Sequence, residues 1–367
     1  MESESTASAP ATAAHPLDQE KVQAFAERAF ADLGATFTAA LCVIGDRLGL
    51  FKDLAARGPA TSEELAARTG IVERYAREWL SGMASAGYLT YDPAGRHFAL
   101  PPEHAPVLAE EVGPLFMGAE YQQLQGVFGI FDLLLRAFRE GGGVPQSAYH
   151  ESFWDGLDRS SAIYCANFLV QQWIPAMPEV QAGLERGIAV ADVGCGRGRA
   201  LITLAQAYPN SHLVGYDIFE PTIAAATANA AAAGVGDRVH FAYLDAAHGL
   251  PEQYDFITTF DVIHDSADPL GLLRAIRAGL APDGTYMCLE FNAREMLEEI
   301  HSPVGPYLYG ASVFYCMTTS LAQGGVGLGT AGMPESRVRE YCQAAGFGSV
   351  RRLPIEDPFR AIFAVKL

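Results

Sequence analysis

The sequence predicts an α/β protein, with a doubly wound sheet in its C-terminal half behind a mainly helical N-terminal domain. Three observations carry this reading. From Ile188 onward short β-branched runs alternate with Ala-rich helical ones, the pattern of a parallel sheet with helices on both faces. The first run, IAVADV, opens directly into Gly194-Cys195-Gly196-Arg197-Gly198. The N-terminal third instead repeats apolar residues at three- and four-residue steps. At 367 residues, half of them apolar, the chain exceeds one hydrophobic core, so two folded units are expected.

The elements follow in chain order. Residues 1–15 are Ala/Ser-rich and read as a disordered leader. From Gln19 to Leu54 the apolar positions Val22, Phe25, Phe30, Leu33, Phe37, Leu41, Ile44 and Leu48 predict one long amphipathic helix. TSEELAARTG starts at a capping Thr61 or Ser62 and ends at Gly70, and the helical IVERYAREWLSGMASAG follows. Two strand-like runs, Tyr88 to Tyr91 and Arg96 to Leu100, flank the turn Asp92-Pro93-Ala94-Gly95. Helix, helix and hairpin in this order resemble a winged-helix domain, expected over residues 16–110. Residues 111–187 read as a helical linker and lid, broken at Gly141 to Pro145, and residues 188–367 as a Rossmann-like domain.

Charge and cysteines narrow the partners. A formal charge of -18 opposes electrostatic attachment to nucleic acid or anionic lipid, which needs clustered Lys and Arg. No nucleic-acid or membrane partner is therefore expected. The six cysteines are scattered through apolar stretches, which fits reduced thiols in a cytoplasmic protein. The N-terminus has no secretory signal pattern, and no unbroken apolar run of bilayer length is evident.

The glycine-rich turn permits close approach of a ligand to the backbone and leaves helix N-H groups outward, a feature that also suits dinucleotides. The second strand, HLVGYDI, ends in Asp217, where a carboxylate can accept both ribose hydroxyls of an adenosine. The third ends in Asp245-Ala246, in reach of an adenine amino group. The fourth is YDFITTFDVIHD, and a Pro282-Asp283-Gly284 turn precedes the fifth. Over residues 188–293 this ordered set resembles the class I S-adenosylmethionine-dependent methyltransferases and departs from the G-x-G-x-x-G dinucleotide fingerprint. The resemblance implies Asp192, Gly194, Gly196 and Gly198 around the methionine moiety and Asp217 and Ile218 at the ribose. It places Asp245 and Ala246 at the adenine and Phe260 near the sulfonium.

With its winged-helix module, the whole chain resembles bacterial small-molecule methyltransferases related to the plant-type O-methyltransferases. CMTTSLAQGGVGLG and QAAGFGSV are softer matches. The resemblance implies methyl transfer to a small molecule and a homodimer built through the N-terminal module. In these relatives a His-Asp pair after the fourth strand supplies a base, and His264-Asp265 occupies that place, although Ser266 stands where an aromatic usually follows; the other reading of His264 is a residue that only lines the pocket or caps the next helix. Glu290 either orients His264 or is a structural carboxylate. Tyr307, Tyr309, Phe314, Tyr315 and Met317 suggest an aromatic wall for a flat or greasy acceptor, with ordinary core as the other reading. His150 with Glu151, and His301, lack a further ligand at useful spacing, so no metal is expected.

Two other functions fit parts of the chain. A DNA-binding regulator would use Arg74 and Arg77 of the second helix, but Glu73 and Glu78 sit among them. A relative of the same fold that binds the cofactor yet catalyses a reaction other than methylation would keep the glycines and Asp217.

Overall fold

The computed structural model describes residues 17–300 and 304–367; the expected leader and His301 lie outside the described residues. Two compact units divide at Pro101/Pro102. The break falls before the expected residue 110, and the helices expected as a linker over 111–187 belong to the second unit.

The first unit begins with α1 (Gln19–Arg47), whose first turn is capped by the Asp18 carboxylate accepting from the Glu20 and Lys21 N-H groups. The single helix expected to Leu54 is broken at Gly49, which takes a left-handed φ of 68° before α2 (Leu50–Arg57). A capping box starts α3 (Ser62–Thr69): the Thr61 hydroxyl accepts from Glu64 N-H, and the Glu64 carboxylate accepts from Thr61 N-H at 2.9 Å. In α4 (Glu73–Ser85) the Trp79 indole donates to the Leu41 carbonyl at 2.9 Å, tying α4 to α1 over a core that includes Phe51, Leu54, Leu65, Leu80 and Met83. The hairpin pairs β1 (Thr90–Asp92) with β2 (His97–Ala99); Asp92 caps its turn by accepting from Ala94 and Gly95 N-H.

One feature of α1 differs from expectation. By length and composition it is apolar enough to cross a membrane, because Ala, Phe, Leu and Val outweigh the charges that interrupt any unbroken run. Its Phe25, Phe30 and Phe37 are 71%, 77% and 65% exposed.

In the second unit α5 (Ala105–Leu108), α6 (Gly118–Gly129), α7 (Phe131–Glu140), α8 (Glu151–Tyr164) and α9 (Pro178–Arg186) precede the sheet, with π-helical turns over Cys165–Trp173. The winding then runs β3 (Ala189–Val193), α10 (Arg199–Ala207), β4 (His212–Asp217), α11 (Glu220–Ala232), β5 (Val239–Tyr243), β6 (Tyr254–Phe260), α12 (Pro269–Gly279) and β7 (Leu280–Phe291). It finishes with α13 (Val304–Ala311), α14 (Met317–Ala322), α15 (Glu335–Ala345), β8 (Ser349–Arg352) and β9 (Arg360–Lys366). Among the described residues the sheet order is β5-β4-β3-β6-β7-β9-β8; β3 to β7 are parallel, and β9 lies antiparallel between β7 and β8. The Pro282-Asp283-Gly284 turn is absorbed into β7 as a register shift, since Tyr254 pairs with Leu280 but Phe256 with Thr285. Apolar layers cover both faces: Leu201, Leu204, Leu169 and Trp173 on one side, Leu273, Ile276, Val338 and Phe347 on the other.

Candidate active site

The order in which strands are added reverses between the parallel neighbours β3 and β6, so the segments leaving them diverge and open a crevice at their C-terminal ends. On the β3 side, Gly194 takes φ 73°, and a Cβ there would lie 2.5 Å from Val262. Asp217, at the tip of β4, is fixed by two backbone donors: Gly196 N-H to Oδ2 and Phe219 N-H to Oδ1, each at 2.8 Å. Burial raises its pKa while these donors pull it back. Asp192 is 1% exposed and accepts from the Thr258 hydroxyl across the β3–β6 pair at 2.7 Å; burial pushes its pKa up to about 7. The Asp245 carboxylate caps the short turn Ala246–His248 by accepting from Ala247 N-H.

A roof helix is joined to this loop. Arg197 of the glycine turn reaches the carboxylates of Glu151 and Asp155, and Arg199, the first residue of α10, donates through Nε to Asp158 at 2.7 Å, so both arginines grip α8. Rings complete the junction: Trp154 packs on Phe219 at 4.7 Å and Phe153 on Tyr315 at 4.7 Å. His150, weighed as a metal ligand, is instead the cap of α8, accepting from Ser152 N-H at 3.1 Å.

Beyond β6 lies a charged cluster. His264 is 1% exposed and stands between two carboxylates, Nδ1 2.5 Å from Glu290 and Nε2 3.1 Å from Asp265. Glu290 is fully buried and also accepts from Ile263 N-H at 2.9 Å, so it holds both the imidazole and its backbone turn. Burial would lower the His264 pKa, but the Asp265 and Glu290 charges outweigh it and raise it well above the ordinary imidazole value. Cys316, whose thiol burial pushes up to about 12, accepts from the Thr330 hydroxyl beside this pair. Ligand atoms of His264, Asp265 and Cys316, and of Asp261, His264 and Glu290, gather within 4.8 Å, a grouping that linear spacing does not reveal. Nδ1 of the shared imidazole is already engaged by Glu290.

These parts face one cavity of about 930 Å³. It is lined by Asp192, Gly194, Gly196, Asp217, Ile218, Asp245, Ala246, Phe260, His264, Asp265, Tyr307 and Tyr315, so most sequence-predicted positions converge. Others do not line it. Gly198, with φ 80°, meets the Phe241 ring at 2.4 Å from where a Cβ would sit, and its role is packing. Glu290 stands behind His264. Tyr309 is on another face of α13 from Tyr307 and Ala311, which are four residues apart and share the lining face. Phe314 packs on Phe131 at 5.2 Å, and Met317 is half-buried outside the lining. Lining residues that sequence reasoning missed include Glu120, Trp154, Tyr164, Asp261, Cys316 and Arg360. Of these, Cys316 falls inside the CMTTSLAQGG match and Asp261 inside YDFITTFDVIHD; the rest carry no local signal.

Known proteins match both parts of the chain. Residues 36–110 match the Rv2258c-like winged HTH domain, and residues 184–310 match a methyltransferase domain. The chain joins a winged helix-turn-helix domain to a methyltransferase domain. It is 37% identical over 98 residues to an uncharacterized Synechococcus protein, covering 26% of this chain and 23% of that one. It is 30% identical over 135 residues to the ubiquinone biosynthesis O-methyltransferase of Pseudomonas savastanoi, covering 36% of this chain and 54% of that one. The chain thus spans about half the length, or less, of these relatives. Among solved structures, PigF with SAH superposes with TM-score 0.70 at 19% identity, covering 93% of this chain and 99% of that one. Human N-acetylserotonin methyltransferase in complex with SAM gives 0.69 at 19% identity, covering 93% and 97%. The likeness in fold extends over both units.

Gly198 provides a test of the cradle. Gly198→Ala is expected to destabilise the protein by on the order of 2 kcal/mol, from the left-handed φ and the clash with Phe241. A thermal melt within error of wild type would show that the turn does not need glycine there.

Proposed function

We propose that the protein is an S-adenosylmethionine-dependent O-methyltransferase of a small, flat acceptor. The observation that carries this reading is the single cavity that holds Asp217 on two backbone donors at one side and His264 between two carboxylates at the other. The methyltransferase-domain match and the fold shared with SAM- and SAH-bound enzymes support the cofactor.

The residues present suit a nucleoside sulfonium. When bound, S-adenosylmethionine supplies an electrophilic methyl group. Asp217, with both carboxylate oxygens already positioned by N-H groups, is oriented to accept from ribose hydroxyls, and Ile218 lies beside it. Asp245 and Ala246 border the adenine end, and Asp192, Gly194 and Gly196 the methionine end. Phe260 and the roof rings exclude water from the acceptor side.

His264 is the proton acceptor in this reading. It takes the acceptor's hydroxyl proton at Nε2, while Glu290 at Nδ1 fixes the ring and stabilises the cation that forms. Asp265 adds a second negative neighbour. The same pair of carboxylates raises the pH at which the imidazole becomes neutral and able to accept.

The winged-helix unit serves assembly rather than DNA in this reading. Arg74 and Arg77 of α4 are matched by Glu78 at 2.6 Å and Glu73 at 2.7 Å, which removes the basic face that phosphate binding needs. The apolar row of α1 would be covered by a second copy rather than by lipid, in a cytoplasmic homodimer.

Asp217→Ala should weaken S-adenosylhomocysteine binding by about 1–3 kcal/mol, read by calorimetry; unchanged affinity removes Asp217 from the cofactor site. Wild type given S-adenosylmethionine and a phenol panel should release S-adenosylhomocysteine, detected by mass spectrometry. Its kcat/KM should rise with pH along a limb lying above the ordinary imidazole value of about 6.5. Removing a negative neighbour favours the neutral ring, so Glu290→Gln should move that limb to lower pH; a limb that stays put rules out His264 as the base. Light scattering should give twice the 39.3 kDa chain mass, and Phe30→Glu with Phe37→Glu should return the monomer; a wild-type monomer refutes the dimer.

A further inference from the structure

We propose that the acceptor carries a carboxylate, docked on the Arg360 guanidinium where it lies over the Tyr164 ring. The inference rests on the methyltransferase reading only for the word acceptor; as a binding site for a flat organic anion it stands on its own geometry. Three arginines line the cavity. Arg197 and Arg199 are matched by Glu151, Asp155 and Asp158, whereas Arg360 makes no side-chain hydrogen bond or ion pair among the described residues. Its Nε is buried without an acceptor, and its guanidinium sits 4.7 Å from the Tyr164 ring centre. A guanidinium partly withdrawn from water, with a free planar fork facing a cavity, matches a carboxylate in charge and shape.

Its placement is fixed. The Asp357 carboxylate accepts from Phe359 and Arg360 N-H at 2.8 and 3.0 Å, and Asn292 N-H donates to the Phe359 carbonyl at 2.8 Å. Arg360 then pairs with Phe291 in the sheet, and the other neighbour of Phe291 is the His264 ring, at 5.5 Å. The cationic fork and the imidazole therefore flank one phenylalanine. A flat molecule with its carboxylate on Arg360 can present a second substituent to His264. Asp261 stands on the same wall, in a left-handed backbone conformation of φ 57° with Oδ1 buried and unpartnered. Burial pushes its pKa up to about 7 against the opposing pull of the Arg360 charge, so Asp261 is a wall carboxylate that a bound anion must neutralise or displace.

The test compares 2-naphthoate with 2-naphthamide, which differ in charge but hardly in shape, by calorimetry on the full chain saturated with S-adenosylhomocysteine. That product has no sulfonium charge to attract the anion. Wild type should bind the carboxylate about tenfold or more tighter than the amide, Arg360→Gln should bring the two within about twofold, and Arg360→Lys should keep part of the preference. Wild-type indifference to charge, absence of binding by both probes, or an undiminished preference in folded Arg360→Gln overturns the proposal. If Arg360→Gln does not fold, the wild-type ratio and Arg360→Lys decide, full preference in Arg360→Lys counting against a fork-shaped site. S-adenosylhomocysteine affinity is measured first: its absence defeats the methyltransferase reading alone, and the naphthoate ratio taken without it still judges Arg360.

Discussion

The site depends on one topological constraint: β3 and β6 are hydrogen-bonded neighbours whose following segments leave in opposite directions. A parallel sheet wound outward from its middle leaves an open crevice at that point only. Asp192 and Thr258 pair across it, the glycine turn leaves from one strand, and the His264 turn leaves from the other. The carboxylates of Asp192 and Asp217 and the His264 imidazole are thus brought to one cavity by strand order before any side chain contributes.

Electrostatics then decides what each group can do. Burial disfavours charge on Asp192, Asp217 and Asp261 alike, and the three answer it differently. Asp217 has two backbone donors, Asp192 one hydroxyl, and Asp261 has an unpartnered oxygen on a strained backbone. The group with the fullest set of donors is the one suited to remain an acceptor. His264 is the reverse case: flanking carboxylates favour its charged form at a place where burial alone would favour the neutral one.

What the sequence made legible follows from how local each signal is. The alternating runs from Ile188, the Thr61 capping box and the helix end at Gly70 are written within a few residues, and they appear where expected. The lone Gly49 that splits α1 from α2 was less visible, since the apolar rhythm continues through it. Strand β9 was missed as a wedge between β7 and β8, because antiparallel insertion depends on pairing partners far away in the chain. The same reason hid Arg360 and Asp261: nothing within their own segments states that one starts β9 and the other bends left-handed after β6. Helical phase separated Tyr307 from Tyr309, a distinction that a run of aromatic letters does not carry.

The roof illustrates how lining and closure share the same atoms. The ion pairs from Arg197 and Arg199 to α8 are partly exposed, and such pairs contribute about 0–1 kcal/mol each. The ring contacts of Trp154 with Phe219, and of Phe153 and Tyr149 with Tyr315, are each worth about 0.5–1.5 kcal/mol beyond the area they bury. The arginines therefore set where α8 lies, while the rings hold it there. Trp154 and Tyr315 are also walls of the cavity, so a substitution that reshapes it alters how firmly it is roofed. The shape of the cavity and the firmness of its roof are, for that reason, coupled properties of this fold rather than separately adjustable ones.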